Sequence, residues 1–133
     1  MKNTHLELVS FDVDGTILRG RILDYVKVPK VLHEKVAALD EFFLQGKLGY
    51  EETLEIQFAL FEGLKGHEIA PDPENLPGIE DLETTLGRLK RSGVRGVILT
   101  DNPSFAVQPL KRFGFRDIIA TRVETSNGVL TRR

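Results

Sequence analysis

Two aspartates spaced two apart, Asp12 and Asp14, close an apolar run that begins at Leu6 and carries Leu8, Val9, Phe11 and Val13. In an extended strand, residues i and i+2 project from one face, so both carboxylates can converge on one bound group. Gly15 follows at once and lets the backbone turn sharply, and the hydroxyl of Thr16 can pin that turn. An Asp-Gly turn can close a strand without any chemistry, but an apolar strand feeding Asp-Val-Asp-Gly-Thr is a more specific pattern. A further hydroxyl, Thr100, ends a second apolar run that starts at Val94 and holds Val97, Ile98 and Leu99 in sequence. The chain has no cysteine, which excludes disulfides and thiolate metal sites. His5, His33 and His67 fall in a tail, a helix and a linker with no shared ligand spacing, so they read as surface residues and an oxygen-ligated metal is expected.

The elements that must position these groups alternate between strand and helix. Leu6 to Val13 reads as a strand buried on both faces. Residues 29–46 place Val31, Leu32, Val36, Leu39, Phe42 and Phe43 on a helical period that stops at Gly46. Tyr50 to Gly63 repeats the pattern, with Glu51, Glu52 and Glu55 near the positive end of the helix dipole. Phe42, Phe43, Phe58 and Phe61 are expected to pack between these two helices. Pro71, Pro73 and Pro77 break periodic structure and mark a linker back to the core. Ile79, Leu82, Leu86 and Leu89 predict a helix ending at Gly93, followed by the Val94–Thr100 strand. Residues 103–113 read as helical with a kink at Pro109, and Asp117–Thr121 as a third strand before an Asn127-Gly128 turn. This alternation predicts an α/β fold with a parallel sheet and right-handed crossovers, whose functional groups gather at the carboxyl ends of the strands. Residues 1–18 and 76–133 would form the core, and residues 19–75 a helical insertion.

The run Phe11-Asp12-Val13-Asp14-Gly15-Thr16 resembles the first motif of the haloacid dehalogenase superfamily, and the chain is most similar to its phosphoserine phosphatase branch. Gln45 to Glu52 resembles that branch's helical cap, Pro77-Gly78-Ile79-Glu80 its re-entry to the core, and Ile98-Leu99-Thr100 its second motif. The resemblance implies a partial Rossmann-like core of about three strands with a small cap inserted after the first. It also implies a phosphatase acting on a small phosphorylated metabolite. Asp12 would be the nucleophile that becomes an aspartyl phosphate, and Asp14 the acid and base. Mg2+ would sit on the Asp12 carboxylate and the Asp14 backbone carbonyl. Gly15, Thr16, Thr100 and the backbone amides of Asp101 and Asn102 would surround the phosphoryl group.

Two later motifs of the family, a lysine and an acidic pair, have no counterpart after residue 102: the last lysine is Lys111 and the last carboxylate side chain Glu124. Without the strand that bears the acidic pair, the first strand is expected to be an edge, available for pairing with missing sequence or a second copy. The branch's cap arginine aligns with Gln57 and its ammonium-binding glutamate near Arg21, so both groups that grip phosphoserine differ here. The alternative expectation is therefore a catalytically incomplete member that binds phosphate or a partner and dimerises through that edge.

Composition narrows the partners. A net charge of -2 and a pI near 5.9 carry no basic excess for nucleic acid or anionic lipid. No apolar run approaches a membrane span and the N-terminal stretch lacks a signal-peptide pattern, which points to the cytoplasm.

Overall fold

The computed structural model describes residues 7–131. Three parallel strands form the main sheet in the order β1 (Leu8–Phe11), β2 (Arg95–Pro103), β3 (Asp117–Thr121). The register pairs Ser10 with Val97 and Val97 with Asp117, so β2 is central and both β1 and β3 are edges. The expected edge position of the first strand is thus present within the described residues. Leu6 and His5, like Arg132 and Arg133, lie outside them.

Between β1 and β2 the chain is helical. A 3-10 turn at Ile22–Tyr25 leads to α1 (Lys30–Leu44) and α2 (Tyr50–Ala59). The start of α2 is fixed locally: Glu52 Oε1 accepts the Gly49 N–H at 3.1 Å, and the Thr53 hydroxyl donates to the Gly49 carbonyl at 2.7 Å. The proline-rich stretch is more ordered than its composition predicts, holding α3 (Gly66–Ile69) and a 3-10 turn at Pro73–Asn75, where Pro73 occupies a first-turn position that needs no N–H donor. Helix α4 (Leu82–Arg91) precedes β2, and its last turn carries Arg88, Lys90 and Arg91 at the negative end of its dipole. After β2, α5 (Ser104–Val107) passes at Pro109 into a 3-10 segment, Gln108–Phe113, as the kink predicted. Asn127 and Gly128, both at positive φ (53° and 81°), close a hairpin between β4 (Thr125–Ser126) and β5 (Val129–Leu130).

One face of the sheet is well covered. Ile98 is fully buried, with Phe11, Ile118 and Ala120 packed against the same core, which includes Leu82, Ala106, Val107 and Leu110 from the helical connections. Phe11 meets Phe115 edge to face at 5.6 Å. The opposite face carries Leu8, Leu99 and Ile119, exposed by 50%, 54% and 59%. The expectation that the first strand is buried on both faces is therefore corrected: both connections place their helices on one side, so Leu8 and Ser10 remain exposed.

The phenylalanine stripe also separates. Phe61 is buried against Phe105, at 5.7 Å between ring centroids, whereas Phe42 is exposed beside Lys47 and Phe43 turns toward Tyr50 at 5.6 Å. Phe42 and Phe43 sit near the exposed C-terminal end of α1, whereas α2 ends at Ala59, short of the expected Gly63, and Phe61 enters the core from the turn that follows.

Candidate active site

β1 ends at Phe11, so Asp12 and Asp14 are brought together by a turn rather than by continued strand. The turn is built on one carbonyl: Val13 accepts the N–H groups of Thr16, Ile17 and Leu18 at 3.1–3.2 Å. Gly15 sits at φ 72°, in the left-handed region that a Cβ would disfavour, and its N–H reaches the Gly20 carbonyl at 3.0 Å. Backbone bonds therefore pin the turn, and the Thr16 side chain makes no hydrogen bond among the described residues.

The chain leaves this turn and returns to it at one place. The Arg19 N–H donates to Pro77 (2.9 Å), the Ile79 N–H donates to Ile17 (3.0 Å), and Leu18 bridges Gly78 in antiparallel fashion. Gly78 admits this approach, because a Cβ there would meet the Phe113 ring at 3.0 Å.

Asp12, Asp14, Thr100, Asp101 and Asn102 line one cavity of about 360 Å³ between the sheet and the helical segment. Gly15 and Thr16 shape the adjoining turn but do not line that cavity. Asp14 is anchored at both oxygens: Oδ1 accepts the Ile22 N–H at 2.9 Å and Oδ2 accepts Asn102 Nδ2 at 3.1 Å. Asp12 is exposed, with Oδ1 accepting the Val13 N–H at 2.8 Å. One carboxylate is thus held firmly and the other presented to the cavity.

Asn102 is the residue whose side chain was not anticipated. It is buried, and its Nδ2 joins Asp14 to Thr100 Oγ1 (3.0 Å), tying the end of β2 to the turn after β1. Its backbone N–H donates to Thr100 Oγ1 at 3.1 Å, the same hydroxyl that its side chain reaches. The residue type was visible in the sequence, but no local period identifies an asparagine just past a strand as a bridge.

The helical segment closes the cavity from the other side through Arg21, Asp40, Tyr50 and Gln57. Tyr50 Oη donates to Asp101 Oδ2 at 2.5 Å. That hydrogen bond first, then partial burial and the charges of Asp101, Asp12 and Asp14, pushes the phenol from 10.0 up to about 12.

The oxygen donors fit a small hard cation in part. The Asp12 carboxylate and the Asp14 backbone carbonyl would be the oxygen ligands of such an ion, and Mg2+ commonly binds through one or two carboxylates with water and substrate oxygens besides. No group of three potential acidic, histidine or cysteine ligands occurs among the described residues. Lys111 lines a different cavity, with Arg95 and Arg116 near the amino ends of the strands.

The chain is a parallel α/β protein whose paired aspartates follow the carboxyl end of its first strand, where open sheets of this class bind ligands. The family profile of haloacid dehalogenase-like hydrolases matches residues 9–133, and the chain belongs to that family. It is 29% identical over 127 residues to phosphoserine phosphatase SerB2 of Mycobacterium tuberculosis, covering 95% of this chain and 31% of that protein. It is 24% identical to the phosphoserine phosphatase of Methanocaldococcus jannaschii, covering 94% of this chain and 60% of the relative. Among solved structures, a family hydrolase of Salmonella enterica superposes with a TM-score of 0.80 at 19% identity, covering 95% of this chain and 44% of the other. A phosphoserine phosphatase trapped as a phospho-aspartyl intermediate analogue superposes with a TM-score of 0.74 at 22% identity, covering 98% and 63%. The chain thus spans between about a third and three-fifths of the length of these curated relatives. No described helix is long and apolar enough to cross a membrane.

Proposed function

We propose that this chain carries the nucleophile half of a phosphomonoesterase, with Asp12 attacking the phosphorus of a small phosphorylated metabolite. The observation that carries this reading is the contrast between the two aspartates in one cavity: Asp14 is anchored through both oxygens, and Asp12 is open to a bound group. Asp12 forms the new O–P bond as the ester O–P bond breaks, and Asp14 gives its proton to the departing oxygen. Water then attacks the aspartyl phosphate while Asp14 takes the water's proton, releasing phosphate and restoring Asp12. Each Asp14 oxygen keeps a second lone pair beyond the hydrogen bond it accepts, so anchoring leaves it able to carry the proton. Mg2+ on the Asp12 carboxylate and the Asp14 carbonyl would offset the negative charge of the phosphoryl group. The Thr100 hydroxyl faces the same cavity and can donate to a phosphoryl oxygen. Residues 19–75 act in this reading as the cap over the reacting group.

The test is hydrolysis of p-nitrophenyl phosphate with Mg2+. Asp12→Asn and a chelator should each remove turnover, by at least about a hundredfold for the loss of the nucleophile. Equal turnover by Asp12→Asn would sink the assignment.

A second reading is favoured by two placements, β1 at a sheet edge and Lys111 in a cavity other than that of Asp12. In it, the chain binds phosphate without turning it over and pairs with a second copy along β1. A folded chain that elutes as a dimer and binds phosphate, with no turnover, would favour this reading.

A further inference from the structure

Resting on the phosphatase reading above, we infer that Asn102 is a positioning residue for that reaction: its side-chain amide holds the Asp14 carboxylate and makes the Thr100 hydroxyl a donor aimed at the phosphoryl group. Thr100 and Asn102 stand two apart in β2, so their side chains leave the same side of the strand. Pairing with β3 shifts register between Leu99 and Pro103, an irregularity of the kind that re-aims side chains. The backbone at Asn102 has little freedom. It precedes a proline, which favours extended conformations, and the peptide joining it to Asp101 is held at both ends. The Asp101 carbonyl accepts the Thr121 hydroxyl at 2.8 Å, and the Asn102 N–H donates to Thr100 Oγ1 at 3.1 Å.

The count of donors and acceptors fixes the direction of each hydrogen. Nδ2 carries two hydrogens and has two partners, Asp14 Oδ2 at 3.1 Å and Thr100 Oγ1 at 3.0 Å. An ionised Asp14 carboxylate only accepts, so the nitrogen of the amide, not its oxygen, must face it. Thr100 Oγ1 therefore receives two N–H groups from one residue, which fills both lone pairs of a hydroxyl. Its own hydrogen meets no protein acceptor among the described residues, and the side chain lines the cavity of Asp12. A free threonine hydroxyl accepts as readily as it donates, whereas this one can only donate, and a phosphoryl oxygen is the acceptor a substrate brings. Asn102 is only 9% exposed, which keeps water from trading places with its partners.

A double-mutant cycle on the full chain with Mg2+ tests both contacts, read as affinity for inorganic phosphate by calorimetry and as turnover of p-nitrophenyl phosphate. Thr100→Val should weaken phosphate binding at least about tenfold and Asn102→Ala at least about fivefold. In the Thr100→Val background, Asn102→Ala should change that affinity by less than about twofold, because its effect on phosphate runs through the hydroxyl. Turnover should behave differently: in the same background Asn102→Ala should still lower kcat at least about fivefold, since Asp14 loses an anchor. Asn102→Asp keeps the shape without the amide hydrogens and should lose at least as much kcat as Asn102→Ala, whereas a role in packing alone would spare it. If Asn102→Ala does not fold, Asn102→Ser, too short to span both partners, takes its place in the cycle. Affinity losses that multiply, or an Asn102→Asp variant with undiminished kcat, would overturn the positioning role and leave the phosphatase reading intact. Phosphate binding without turnover would remove that reading and leave the affinity cycle to decide the direction of the hydroxyl. An unsubstituted chain with neither binding nor turnover would overturn both.

Discussion

Strand β2 contributes neighbouring residues to two unlike surfaces. Ile98 faces α4 and the segment after β2 and has no exposure, whereas Leu99, one residue on, points to the bare face and is 54% exposed. Their side chains are isomers of one volume and hydrophobicity, so their different surroundings come from chain path alone: each crossover sends its helix to the same side of the sheet. Hydrophobic composition therefore fills a strand on both faces even where only one is covered.

The strongest way to break this comparison is to truncate both residues. Ile98→Ala should cost about 2–5 kcal/mol in chemical denaturation, and Leu99→Ala about 0.5 kcal/mol or less. Similar losses would mean that the Leu99 face is covered in solution. A smaller effect is expected from charge: Ile119→Lys on the bare face should change stability by about 0.5 kcal/mol or less, and in sedimentation at rising concentration it should reduce any self-association seen in the unsubstituted chain.

The smallest effect concerns the seam between sheet and helices. Because the folded Tyr50 phenol titrates near 12 rather than 10.0, it stays protonated where an unfolded chain would ionise. The associated stability is present below pH 10 and fades as pH rises from 10 toward 12. With the ring half exposed, solvent screens much of this contribution. Tyr50→Phe should abolish the late step in a tyrosinate absorbance titration and flatten the loss of stability over that window. Loss of absorbance amplitude near pH 10 instead of near 12 would show that the Asp101 contact does not hold in solution.

Much of this arrangement is legible in the sequence, for identifiable reasons. The third strand was bounded correctly because Arg116 and Arg122 flank a short apolar run, and the Asn127-Gly128 turn because few other pairs accept positive φ at both positions. Asp12 and Asp14 stand out in the sequence because their spacing and the following glycine form a local signal. The bridge made by the Asn102 side chain has no such signal, since its partner Asp14 lies 88 residues away. Phe43 and Phe61 obey the same helical period, yet only tertiary packing decides which one enters the core. Leu8 reads as core by type, and nothing local to it reveals that its face has no covering layer.

The adjoining exit and return at Leu18 and Gly78 have one more consequence. Nearly sixty residues leave the sheet and come back through a gap spanned by single hydrogen bonds between Arg19 and Pro77 and between Ile17 and Ile79. A chain branch with its two roots side by side can be lengthened, shortened or exchanged without altering the distance its ends must span, so the entropic cost changes only with the logarithm of its length. Selection can therefore remodel the roof over the reacting carboxylates as a graft, leaving the rootstock in place.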